Sequence, residues 1–376
     1  CFAAIGSRTQ ATGGPYTYLT AVFGPFAGFL AGALMWISNI ASSAGVAAAL
    51  SVQVATLAPA FADTYARAGL LTAVYLLLFA LNAFGVKLGA RAIAVLATLK
   101  LLPLFLLAGI GVFFVDWSQV SFSFGDVPSV SALGASMVLV MFAYSGMETA
   151  LVPSGELRDP ARNVPRATIA AILLVVLLYL GLQIVGQGLL GDGLAKSGVP
   201  IADTAAALWA PGRTLLLITA CISMSGFMLG NLLGTSRLVF ALGRDGYLPR
   251  AFGRVTATHR VPLLALAVHA GFAWALALGG TFDALALISG GAICLTYGFV
   301  SLAAWRAQRI DLRQDGAAPF VMPGGPVIPA ISLLAMLAIT ATLTAKEWSA
   351  IGIALAALIA IYVLLRMLRR TPATPA

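Results

Sequence analysis

Two ionisable residues stand inside apolar runs of this 376-residue sequence, Lys100 in ATLKLLPLF and Glu148 in MFAYSGMETALVP. A charge inside an apolar, membrane-like segment is costly and marks a functional site by default. Glu148 follows Tyr144-Ser145-Gly146, where a glycine interrupts the helical pattern. Backbone groups freed at such a break can hold substrate or ions. Lys100 lies ten residues past Ala90, where its run begins; that is about 15 Å of helix, too deep for the amine to snorkel easily to water. Lysine can gain or lose a proton with its surroundings, so Lys100 suits proton coupling; a structural lysine held by a carbonyl or acid is the alternative. For Glu148 two roles fit: a charge that gates the break, or a buried acid whose hydrogen bonds stabilise it.

Other polar residues share faces of the same runs. Asn231 and Thr235 are spaced i, i+4, with Ser223 and Ser225 a turn or two earlier. Trp36, Ser38, Asn39, Ser42 and Ser43 form the most polar part of another run. An enzyme is not expected, because no cluster of titratable groups resembles a catalytic set. The histidines are His259, in a loop, and His269, read as a packed helix residue; Cys1, Cys221 and Cys294 are scattered. Neither a metal site, a disulfide framework nor a bound cofactor is implied.

The runs that position these residues are long. Hydrophobic residues make up 60% of the chain and charged residues 9%, against about 25% charged in a soluble domain. Ten complete membrane spans are expected, over about 23–57, 70–86, 90–115, 131–153, 167–190, 214–242, 262–279, 284–304, 327–344 and 350–368. The runs are continuous rather than alternating, which excludes a β-barrel. With ten spans, seventeen of the 22 basic residues fall on one side and four on the other, with Lys100 between. The net charge of +9 therefore reads as the positive-inside bias of a membrane protein rather than as a nucleic-acid surface, and puts the basic side and the C-terminus in the cytoplasm. Residues 1–370 read as one membrane domain and 371–376 as a disordered tail. The segment Glu156–Arg166 reads as a solvated, charge-paired loop, and Arg244-Asp245-Gly246 as the glycine turn ending a span.

Three stretches, GGPYTYLTAVFGPFAGFLAGALMW, FAYSGMETA with GELRDPARNVPRA, and GTSRLVFALGRDGYLPRAF, together resemble the amino acid–polyamine–organocation superfamily, and within it bacterial amino-acid permeases. The resemblance covers essentially the whole chain. It implies an all-α, leucine-transporter-like fold of two inverted five-span repeats followed by two more spans. On that template the chain begins at the end of family span 2 and holds spans 3–12, an N-terminally truncated arrangement lacking the glycine-rich break of span 1.

The resemblance also implies site roles. The span 6 break maps to Phe142, Ala143, Tyr144, Ser145 and Gly146, with Phe142 as an aromatic lid and Tyr144 offering a hydroxyl. Lys100 resembles a lysine that replaces sodium in proton-coupled relatives. Asn39 and Ser43 are the expected contacts from span 3, and Asn231 from span 8. The implied function is secondary amino-acid transport by alternating access in a bacterial cytoplasmic membrane, coupled to protons through Lys100 and with Glu148 in coupling or gating. A basic amino acid or polyamine exchanger is a second expectation, an inactive pseudo-transporter a third. Partners would be the amino acid, a proton and the lipid bilayer.

Overall fold

The computed structural model describes residues 1–9, 11–84, 86–120, 129–313 and 318–370. Among the described residues there are helices and turns and no strand. The helices are α1 (Phe2–Gly6), α2 (Pro15–Phe23), α3 (Pro25–Leu57), α4 (Thr64–Ala83), α5 (Val86–Gly111), α6 (Val130–Tyr144), α7 (Met147–Ala150), α8 (Pro160–Leu190), α9 (Pro200–Leu208), α10 (Gly212–Arg244), α11 (Leu263–Gly279), α12 (Phe282–Arg309), α13 (Val327–Ala341) and α14 (Ala345–Arg370).

Among the described residues, seven helical stretches are long and apolar enough to cross a membrane: α3, α4, α5, α6 with α7, α8 with the turn after it, α10 and α12. Three shorter apolar helices, Leu263–Gly279, Val327–Ala341 and Ile351–Met367, fall where the remaining spans are expected. Large apolar side chains face outward along them, among them Leu76, Leu102, Leu177, Leu334 and Ile353. Water would oppose such a surface; lipid does not. The protein is an all-α, multi-spanning membrane protein.

Helix α3 is the axis of the bundle. It packs against α12, α10, α11 and α2, while α5 lies along α10, and α6 and α13 lie along α12. Small residues make these approaches possible. Ala31, Ala41, Ala44 and Ala47 of α3 are buried, as are Ala303, Ala304 and Ala307 of α12. In lipid, close packing of backbones takes the place of the hydrophobic effect as the driving term.

Local signals set the ends. Asp63 caps α4 by accepting from the Tyr65 and Ala66 amides at 2.9 and 3.1 Å, so this helix starts six residues before the expected Leu70. The expectation of a solvated loop over Glu156–Arg166 is corrected: α8 begins inside it, with Pro160 as its first residue. Proline at that position costs no hydrogen bond, and its fixed φ suits helix initiation. Glu156 pairs with Arg237 at 3.3 Å, and Arg237 is itself buried. Short helices α2 and α9 lie before and between the expected spans.

Candidate functional site

Helix α6 stops at Tyr144 because Ser145 is extended and Gly146 sits at φ 119°, a left-handed conformation that glycine adopts without strain. The Ser145 hydroxyl donates to the Phe142 carbonyl at 2.7 Å, satisfying one group freed by the break. Glu148 deals with the other side. Its Oε1 and Oε2 accept from the Gly146 amide at 3.1 and 2.9 Å, a side chain closing back onto the cap of its own helix. Oε2 also accepts from the Tyr297 hydroxyl of α12 at 2.5 Å. Glu148 is 2% exposed, and does not line the cavity described next.

A cavity of about 390 Å³ opens between α5, the α6–α7 break and α10. Lys100, Ala97 and Ile93 line it from α5, Gly146 and Thr149 from the break, and Asn231 from α10. Lys100 is half-buried, and no ion pair or hydrogen bond from it occurs among the described residues. A Cβ built on Gly146 would meet nothing within 4 Å, which fits a backbone facing open space. The α10 wall is made by Gly226, Gly230 and Gly234, spaced i, i+4, i+8 on one face. Their signal, GFMLGNLLG, is visible in the sequence as a small-residue stripe, which by itself points to close helix packing.

Behind this wall runs a buried hydrogen-bonded chain across four helices. The His269 ring of α11 donates from Nε2 to Asn231 Oδ1 at 2.9 Å, because an amide oxygen can only accept. Asn231 Nδ2 donates to Asn39 Oδ1 of α3 at 3.0 Å, and the Thr149 hydroxyl donates to the same oxygen at 3.0 Å. Gly234 permits this. A Cβ there would come within 2.6 Å of the Thr149 methyl and 2.7 Å of its carbonyl oxygen. Asn39 Nδ2 has no partner among the described residues.

The expected site residues thus divide. Lys100, Gly146 and Asn231 come together around one cavity; Asn39 lies one hydrogen bond behind it, and Glu148 behind the break. Phe142, Ala143 and Tyr144 are not among its lining residues: Phe142 packs edge-on against Phe282 at 5.7 Å, Tyr144 packs against Tyr179 at 5.2 Å, and the Ala143 carbonyl accepts from the Tyr179 hydroxyl at 3.3 Å. Ser43 is fully buried against the Tyr75 hydroxyl at 3.0 Å, away from the cavity. Thr149 and Tyr297 are not among the expected site residues; Thr296-Tyr297, a polar pair inside the apolar run ICLTYGFV, is the sign the sequence offers. His269, read as a packed residue, is packed and also bonded.

A bundle of membrane helices around a cavity at a broken helix is the architecture of a secondary transporter. The chain belongs to the amino acid permease family, whose model matches residues 1–310, and through it to the amino acid–polyamine–organocation superfamily. It is 27% identical over 365 residues to the methylthioribose transporter of Bacillus subtilis (strain 168), covering 88% of this chain and 74% of that protein. It is 26% identical over 345 residues to the serine/threonine exchanger SteT of the same organism, covering 88% and 76%. Likewise it is 27% identical over 384 residues to the branched-chain amino acid permease BcaP of Lactococcus lactis subsp. cremoris (strain MG1363), covering 91% and 79%.

Proposed function

We propose that this protein carries an amino acid across the bacterial cytoplasmic membrane by alternating access, with Lys100 bearing the proton that couples the movement. The observation that carries the reading is the position of Lys100: it lines the cavity at the helix break and has no anionic partner among the described residues. An unpaired ammonium in such a place is costly. Releasing a proton relieves that cost, and a bound carboxylate relieves it too, so the charge state of Lys100 couples to what the cavity holds. Two of the three relatives named above, an exchanger and a permease of amino acids, support the substrate class; the third is a methylthioribose transporter. The seventeen basic residues on one side support a cytoplasmic C-terminus.

Alternating access requires the break to move against α3 and α10. The Thr149–Asn39–Asn231 bonds are the contacts such a motion would make and break. A cationic substrate side chain would need an acid in the cavity. Glu148 is the acid at the break, but it does not line the cavity and its oxygens are engaged by Gly146 and Tyr297; a basic amino acid exchanger therefore gains no support here.

Uptake of labelled neutral amino acids into proteoliposomes tests the reading. Accumulation is expected with an inward proton gradient, and Lys100→Gln is expected to lower it at least tenfold while counterflow exchange persists. Full gradient-driven accumulation by Lys100→Gln would end the coupling assignment. A wild-type protein that accumulates only against preloaded amino acid would make it an exchanger.

A further inference from the structure

A second cavity, of about 530 Å³, shares no lining residue with the first and lies between α3, α11, α12 and α14. Its lining is almost wholly apolar, including Phe29, Ile37, Leu242, Phe272, Leu358 and Ile361. Along α3 it extends from Phe29 to Ala41, about 18 Å at the helical rise. One leaflet of bilayer hydrocarbon is about 15 Å deep. Tyr247 joins this crevice to a smaller cavity of about 400 Å³ at its basic end, which holds Phe26, Tyr362 and Arg366. Phe29, Tyr247 and Tyr362 form an aromatic collar between the two, Tyr247 and Tyr362 stacking at 6.0 Å and Phe29 lying 5.0 Å from Tyr247. Aromatic side chains of this kind sit at the level of lipid headgroups.

The mouth is cationic. Arg366 is exposed, and no ion pair from it occurs among the described residues. The Tyr362 hydroxyl has no hydrogen-bond partner among them either. Arg306 stands nearby, its guanidinium 5.3 Å from the ring of Phe23, which lines the same mouth. An apolar slot one leaflet deep, closed by aromatic rings and topped by an arginine and a tyrosine hydroxyl without partners among the described residues, matches a phospholipid with an anionic headgroup. A chain segment or a second protein would not explain why the positive charge is confined to the end at the membrane surface. We propose that the crevice binds one acyl chain of an anionic phospholipid from the arginine-rich leaflet, with Arg366 and Tyr362 on its phosphate.

This site is separate from the transport cavity, so its test does not depend on transport. The full chain in detergent would be titrated with dioleoyl phosphatidylglycerol or dioleoyl phosphatidylcholine and examined by native mass spectrometry. A single saturable adduct is expected, formed by phosphatidylglycerol at about fivefold lower concentration, the preference one arginine near a membrane surface supplies. Arg366→Gln should bring phosphatidylglycerol to the level of phosphatidylcholine, and Leu358→Trp, which fills the crevice, should remove the saturable adduct of both. Arg213→Gln, on the opposite side, should change neither. An unsaturable ladder of both lipids, unaffected by Arg366→Gln, would mean annular lipid only and overturn the proposal. So would a dimer abolished by Leu358→Trp with lipid adducts unchanged, which would make the crevice an interface between copies. Where Leu358→Trp does not elute as a folded monomer, Arg366→Gln decides alone, since its side chain is exposed.

Discussion

Lys100 and Glu148 are both ionisable groups inside the membrane span, and the structure treats them in opposite ways. Glu148 has every need met: it is closed off, it accepts from the Gly146 amide and the Tyr297 hydroxyl, and it lies behind the break. Lys100 has no such partner among the described residues and lines the open cavity. A buried polar group with a full set of hydrogen bonds fixes a shape. One without them is sensitive to whatever enters. On the proposed function, the contrast favours Glu148 as a builder of the break and Lys100 as the group that responds to its contents, whereas residue type and depth alone left a structural role open at both positions.

The sharpest way to break this comparison is to remove each group. Glu148→Ala strips the acceptor from the buried Tyr297 hydroxyl, at about 1–3 kcal/mol, and from the part-buried Gly146 amide, which faces the cavity. A loss of folded protein, or a large drop in the thermal midpoint measured by fluorescence-detected size exclusion, is expected. In a Tyr297→Phe background the same substitution should cost less, because one of its partners is already gone; strictly additive losses would show that the 2.5 Å bond carries no coupling. Lys100→Gln is expected to do the reverse. Its thermal midpoint should stay near that of the parent while proton-driven accumulation falls at least tenfold. If Lys100→Gln unfolds and Glu148→Ala does not, the two roles are exchanged.

A weaker perturbation probes the joint between the regions. Gly234→Ala places a methyl group 2.7 Å from the Thr149 carbonyl, a backbone atom that cannot swing aside. Overpacking of this kind costs about 1–3 kcal/mol, and should lower the thermal midpoint by more than Thr149→Val, which removes only one hydroxyl bond to Asn39, about 1 kcal/mol. Equal midpoints for the two variants would show that the close approach of α7 to α10 is not held by glycine.

How far the sequence reveals this arrangement depends on whether the cause is local. The break at Tyr144-Ser145-Gly146 is legible because glycine and serine disrupt the helix where they stand, and α6 ends at Tyr144. The spans are legible because a helix in lipid needs a continuous apolar run. Partners across the bundle are not: Tyr297 is 149 residues from Glu148, and nothing local tells that the acid turns away from the cavity. Ser43 illustrates the same gap, since its polarity suggested a site while its hydroxyl serves Tyr75 on α4. Helix α9 is not legible, because its short PIADTAAAL run follows a stretch rich in glycine and polar residues. The start of α8 was hidden by charges that suggested a loop, although Pro160 was itself a signal for a first helical residue.

The smallest expected effect comes from a third ionisable group, paired like Glu148 but outside the spans. Asp203 of α9 accepts from the Ser197 hydroxyl at 2.6 Å and from Arg213 at 2.9 Å. These bonds, Ser197 first and Arg213 next, hold its carboxyl below the usual aspartate range. A depressed folded value means that the stabilisation is present above the unfolded value of about 3.9 and is lost as pH falls through the folded one. The thermal midpoint of the parent should therefore be insensitive to Asp203 between pH 5 and 7, and fall more steeply than that of Asp203→Asn below about pH 4. Water screens an exposed pair, so the difference should correspond to about 0.5 kcal/mol or less. A midpoint loss for Asp203→Asn at pH 7 as large as that for Glu148→Ala would overturn the idea that burial, rather than pairing itself, makes the Glu148 cluster hold the break.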